Sequence, residues 1–110
     1  AGAYYKKALK VKEVIASEFE RVFQNIAFIV TPVTPRLPHR FSESITPEEM
    51  YAYDAFTIPA NLGGICAGVI SNDKIADGDD MVPVGIQVFA AKFKEDILFK
   101  GLNILHNLKN

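Results

Sequence analysis

Asp54 is the one carboxylate in the apolar-rich run from Ala52 to Leu62, and the same stretch, MYAYDAFTIPANLGG from Met50 to Gly64, closes on a glycine pair. An unpaired carboxylate buried there would cost several kcal/mol, so Asp54 must meet solvent, a helix cap or a cation. As a cap it would accept the amides of Phe56 or Thr57 at the start of a short helix. As a binding group it would take the ammonium of an amino-acid substrate in a charge-assisted hydrogen bond worth about 1.5–3 kcal/mol. The residue types alone leave both roles open.

Nucleophilic catalysis needs a Ser, Cys or Thr beside a base, with amide donors ready for an oxyanion. Ser17 falls in an ordinary helix, Ser42 and Ser44 in a polar loop, and Ser71 at the opening of a turn. None lies in a glycine-serine-rich segment, so no catalytic residue is assigned. Cys66, in the apolar run ICAGV, lacks the positive neighbour a reactive thiolate needs, and packing is its expected role. His39 and His106 have no second ligand at metal spacing; His39 is expected to be exposed, and His106 to sit near a helix C-terminus, where the dipole suits it. Gly63-Gly64 lacks the lysine or third glycine of a phosphate loop. The acids between Ser71 and Asp80 lack the alternate spacing and distal glutamate of a calcium loop, so no metal is expected.

The elements that would position these residues are legible from periodicity. Tyr4, Ala8, Val11, Ile15, Phe19 and Val22 step by three or four, which predicts one long helix over Tyr4 to Gln24, with Lys6, Lys10, Glu13, Glu20 and Arg21 on its solvated side. Ile26 to Val30 reads as a short buried strand ended by Thr31-Pro32. Pro32, Pro35, Pro38 and Pro47 then remove amide donors and fix φ, predicting an ordered loop. Thr46-Pro47-Glu48-Glu49 is a helix start with a capping hydroxyl, proline at the first position and acids in the positive first turn. Pro59 divides the next stretch into two short helices that exit at Gly63-Gly64. Ile65 to Ile70 is a candidate strand, Ser71 to Asp80 a surface hairpin connection, Val82 to Ala90 a strand, and Lys94 to Lys109 a helix striped by Ile97, Leu98, Leu102, Leu105 and Leu108. This order implies an α/β fold, a mixed β-sheet covered by helices. Three strands are too few for the first helix's apolar stripe, so the sheet is expected to be incomplete in this chain, residues 1–110 forming a single partial domain.

Composition narrows the classes further. The chain has 110 residues and 49% hydrophobic content, which is globular, and at this length folding buries only about 60–70% of the unfolded surface. Twelve Lys plus Arg against thirteen Asp plus Glu give a net charge of −1, without the basic footprint of direct nucleic-acid binding. The single cysteine excludes an intrachain disulfide and suits a reducing compartment. No apolar run approaches the roughly 20 residues needed to span a bilayer, so no membrane association is expected. The opening Ala1-Gly2-Ala3 enters a helix without a cap-rich lead-in, as a start within a larger gene product or simple initiator removal would.

Five segments in order, AYYKKALKVKEVI, IVTPVTP, MYAYDAFTIPANLGG, PVGIQ and the last helix, resemble the C-terminal end of the amidase signature family, and within it the A subunits of glutamine-dependent amidotransferases. The resemblance implies an amidase-signature fold, with TPVTP as a strand-to-loop exit and PVGIQ as a core strand beside the active-site sheet. It also implies a substrate-binding role for Asp54, contact with the α-amino group of glutamine. The family hydrolyses amides with a Lys-Ser-Ser triad in a glycine-serine-rich region, and grips the substrate carboxylate with an arginine, both upstream of the segments matched here. This chain alone therefore has no triad and is expected to shape one wall of a pocket. Family members carry proline at the Cys66 position and a serine-proline-bearing strand after it, from which ICAGVIS departs.

By the same resemblance, the function implied is that of the C-terminal part of an aminoacyl-tRNA amidotransferase A subunit, which hydrolyses glutamine to supply ammonia for converting Glu-tRNA(Gln) to Gln-tRNA(Gln). Its partners would be amidotransferase B and C type subunits, with ATP and Mg used by a partner and no cofactor in this chain. The location implied is the cytoplasm or an organellar matrix. The alternatives are a non-catalytic truncated paralogue acting as an interaction or scaffold piece, and part of another amidase-signature hydrolase.

Overall fold

The computed structural model describes residues 2–108. Helix α1 runs Gly2–Phe23, strand β1 Phe28–Pro32, helices α2 and α3 Pro47–Ala52 and Ile58–Gly63, strands β2 and β3 Cys66–Asp77 and Asp80–Ala90, and helix α4 Glu95–Leu108. The sheet order is β1-β3-β2, and both pairings are antiparallel. Lys109, the expected end of α4, lies outside the described residues, as does Ala1.

Strand β3 organises the molecule because both its faces are covered at one end. Gln87, Val88, Phe89 and Ala90 are all buried, and alternation sends them in pairs to opposite faces. Val88 and Ala90 pack with Leu98 of α4 and with Phe28, Cys66, Ile97, Leu102 and Leu105. Two glycines let α4 approach closely. A Cβ at Gly68 would lie 2.8 Å from Leu102 Cδ1, and one at Gly101 would lie 3.3 Å from Phe28. On the opposite face Phe89 meets Phe19 of α1 edge-on, with ring centroids 5.9 Å apart at 87°. The arrangement is three-layered, α1 with α3, then sheet, then α4, in accord with the α/β expectation.

The strands depart from the sequence-based expectation chiefly in two places. β1 does not stop before Thr31-Pro32 but includes them, paired to Gln87 and Ile86. Pro32 is tolerated as the last residue of a strand with an open outer edge. The acidic stretch expected to be a loop is mostly strand: β2 continues to Asp77, and only Gly78-Asp79 turn. Gly78 has φ +65, the positive first central residue of a type II′ hairpin. Within β3, Pro83 pairs with Lys74 next to a register shift between Ser71 and Lys74. A bulge accommodates a residue that has no amide to donate.

The apolar stripe of α1, which three strands were expected to be too few to cover, is exposed over its first half. Helix α1 has no buried residue, and Tyr4, Tyr5, Val11 and Val14 are all exposed, while only Ile15, Ala16, Phe19, Val22 and Phe23 are half-buried. An apolar cleft of about 340 Å³ opens between Ile15, Phe19, Val22, Ile29 and Pro59. The radius of gyration is 16.6 Å, against about 13 Å for a compact domain of this length. No helix among the described residues is long and apolar enough to cross a membrane.

Candidate functional site

The segment around Asp54 is built by local hydrogen bonds. Thr46 caps α2 in extended geometry, its Oγ1 accepting the Glu49 amide at 3.1 Å, with Pro47 in the first turn and Glu48 and Glu49 at the positive end, as its sequence predicts. Between α2 and α3 the backbone folds into consecutive turns. The amides of Asp54 and Ala55 donate to Tyr51 and Ala52, and the Asp54 carbonyl accepts the amides of Thr57 and Ile58, all at 3.1 Å. Thr57 Oγ1 adds a bond to the same carbonyl at 3.3 Å. The helix α3 then ends on Gly64 at φ +67, a left-handed cap whose amide bonds the Ala60 carbonyl.

One contact fixes this segment to the sheet and a second fixes it to α1. Gln87, 4% exposed, donates from Nε2 to the Phe56 carbonyl at 2.7 Å and to Thr31 Oγ1 at 3.1 Å. Thr31 Oγ1 in turn donates to the Pro32 carbonyl at 2.8 Å. Farther along, Gly63 lies against Phe19, where a Cβ would come within 2.5 Å of Cδ2. The glycine pair thus has two separate purposes, close helix contact at Gly63 and a left-handed cap at Gly64. Sequence reasoning missed Gln87. Its signal was a lone amide in the apolar run VPVGIQVFA, where a buried carboxamide must find partners.

Asp54 itself is exposed. Among the described residues no amide reaches its carboxylate and no cation pairs with it; its backbone carbonyl closes the turn, and Thr57 is the α3 N-cap residue. Side-chain capping therefore does not occupy it. The carboxylate projects from a turn whose backbone is held at both ends, an arrangement suited to receiving a cation from outside the chain.

The proline loop closes over the neighbouring Tyr53. His39, expected to be exposed, is half-buried: its amide donates to Tyr53 Oη at 2.9 Å, and its Nδ1 lies 3.1 Å from the same oxygen. The hydroxyl can donate back to a neutral imidazole, which turns the histidine inward. Arg36 stands 5.9 Å over the Tyr53 ring and pairs with Glu43 at 3.1 Å. Arg40 clamps the hairpin end through Asp80 at 2.7 Å and the Asp77 carbonyl at 2.8 Å. Both guanidiniums are held above their ordinary range, chiefly by hydrogen bonds to Glu43 and Asp80 respectively. The Arg40 amide, followed by the Arg36 guanidinium, holds the Glu43 carboxyl below the usual glutamate range.

The remaining candidates are not brought together. Ser17, Ser42 and Ser44 are exposed on α1 and the proline loop, none of them hydrogen-bonded to a histidine among the described residues, and His106 sits in the last turn of α4. Cys66 packs in the α4 core and donates its S–H to the Ala91 carbonyl at 3.3 Å. Among the described residues no group of three histidine, cysteine or acidic side chains could hold a metal ion.

Residues 1–99 match the Amidase family model, and the chain belongs to that family. It is similar to the A subunit of glutamyl-tRNA(Gln) amidotransferase from Methanobrevibacter smithii, 38% identical over 107 residues, covering 97% of this chain and 23% of that protein. The corresponding protein of Methanocaldococcus jannaschii is 38% identical over 102 residues, covering 93% and 23%. The crystal structure of the glutamyl-tRNA(Gln) amidotransferase A subunit from Thermotoga maritima superposes with a TM-score of 0.77 at 34% identity, over 89% of this chain and 21% of that one. The chain thus spans about a quarter of the length of the curated relatives it matches.

Proposed function

We propose that this chain is the C-terminal part of a glutamine-dependent aminoacyl-tRNA amidotransferase A subunit, and that Asp54 receives the α-ammonium group of glutamine. The observation that carries the reading is similarity to amidotransferase A subunits along 93–97% of the chain. In the complete subunit, glutamine loses its side-chain amide as ammonia, which amidates Glu-tRNA(Gln) to Gln-tRNA(Gln). The hydrolytic groups are contributed by sequence outside these 110 residues. Amidotransferase B and C type subunits are the proposed partners, with ATP and Mg used by a partner subunit in the cytoplasm or an organellar matrix. The net charge of −1 supports assigning tRNA contact to another chain.

The test is Asp54→Asn in the complete subunit in complex with its partners. Loss of a charge-assisted bond raises KM for glutamine by about 10- to 150-fold. An unchanged KM removes Asp54 from the site.

A further inference from the structure

Gln87 is a fully packed polar side chain that joins three pieces of the molecule. It lies in the central strand, is 4% exposed, and spends both amide protons on neighbours: one on the Phe56 carbonyl at 2.7 Å, the other on Thr31 Oγ1 at 3.1 Å. Phe56 is two residues beyond Asp54, inside the turn that the Asp54 carbonyl closes by accepting Thr57 and Ile58. A backbone held at the Asp54 carbonyl and at the Phe56 carbonyl leaves the Asp54 Cα little freedom. The other proton reaches the hydroxyl at the exit of β1, whose own proton is already committed to Pro32.

We propose that Gln87 is a positioning residue for substrate binding: by tethering the Phe56 carbonyl to the sheet it fixes the direction in which the Asp54 carboxylate projects. This rests on the reading of Asp54 as the acceptor of the substrate ammonium. An apolar residue of equal length would fill the same space but leave the Phe56 carbonyl without its buried donor. The turn then shifts to find water, and Asp54 shifts with it. Because Gln87 acts through Asp54, its loss penalises only substrates that carry the ammonium.

The experiment compares Gln87→Met, Asp54→Asn and the double variant in the complete subunit with its partner subunits, using glutamine and its desamino analogue, 4-carbamoylbutanoate. Gln87→Met is expected to raise KM for glutamine about tenfold or more while changing kcat/KM for the desamino analogue less than about twofold. In the Asp54→Asn background it is expected to add nothing further. If Gln87→Met fails to fold, Gln87→Asn retains a carboxamide one methylene too short for the Phe56 carbonyl, and is expected to show the same selective loss. Equal damage to both substrates, or additive losses in the double variant, overturns the inference while Asp54 stands. A glutamine KM insensitive to Asp54→Asn overturns the underlying reading and this inference with it.

Discussion

The two faces of β3 are held by different means. On the α4 face, Val88 and Ala90 meet Leu98 in an apolar contact, with Gly68 and Gly101 admitting the helix. On the opposite face, Phe89 against Phe19 shares the work with the Gln87 carboxamide, which reaches over to the turn below Asp54. Hydrophobic burial is non-directional, so the first face fixes a distance between layers without fixing a single atom's direction. Hydrogen bonds to a buried amide are directional, so the second face fixes where a backbone carbonyl sits. The face with the polar tether is the one that carries the candidate site.

That contrast can be broken at its strongest point. Leu98, 5% exposed, loses most of its contacts on truncation, and Leu98→Ala in the complete subunit is expected to cost about 2–5 kcal/mol of unfolding free energy. Glutamine KM should stay where it was, because α4 touches the sheet face away from Asp54. A KM that rises with Leu98→Ala would show that the faces are not independent. The converse variant, Gly63→Ala, places a methyl within 2.5 Å of the Phe19 ring. It is expected to cost about 1–3 kcal/mol by overpacking, and to raise glutamine KM because α3 moves off α1. Trimming the ring with Phe19→Leu in the same chain should recover part of that loss, and denaturant midpoints of the single and double variants measure the coupling.

Legibility in the sequence followed the range of the interactions. The α1 and α4 periodicities, the Thr46-Pro47 cap and the apolar β3 run are local patterns, and each stands within two residues of its expected place. The extension of β2 through Asp73, Lys74 and Asp77 was illegible because those residues disfavour strands, and pairing with β3 overrides the preference. His39 turned inward because Tyr53, fourteen positions away, bonds it. The tether at Gln87 depends on partners 56 and 31 positions distant, and the Gly63 contact on Phe19 in another helix. Asp54 stood out for its apolar surroundings, but its freedom from capping required the actual path of the turn.

A smaller effect separates the two glycines of the pair. Gly64 has open space where a Cβ would stand but φ +67, so Gly64→Ala is expected to cost about 1 kcal/mol through backbone conformation alone. Unlike Gly63→Ala, it should gain nothing from Phe19→Leu. Additive losses at both glycines would remove the distinction between packing and cap.

The smallest effect concerns the proline loop, which ion pairs hold where the sheet faces use burial. Glu43 accepts the Arg40 amide at 3.2 Å and the Arg36 guanidinium at 3.1 Å, and its folded carboxyl is held below its ordinary range, more by the amide than by the guanidinium. A depressed carboxyl contributes stability above the unfolded glutamate value and loses it as pH falls through the lowered folded value. The loop should therefore loosen only on acidification past the ordinary glutamate range, with α4 and the sheet unaffected. Because the carboxyl is open to solvent, screening keeps the effect small. Carbon-13 titration of the Glu43 carboxyl in the selectively labelled protein should give a midpoint below the usual value, and Arg36→Gln should return it only part of the way. Complete return on Arg36→Gln would mean that the guanidinium, not the backbone amide, sets the charge of this loop.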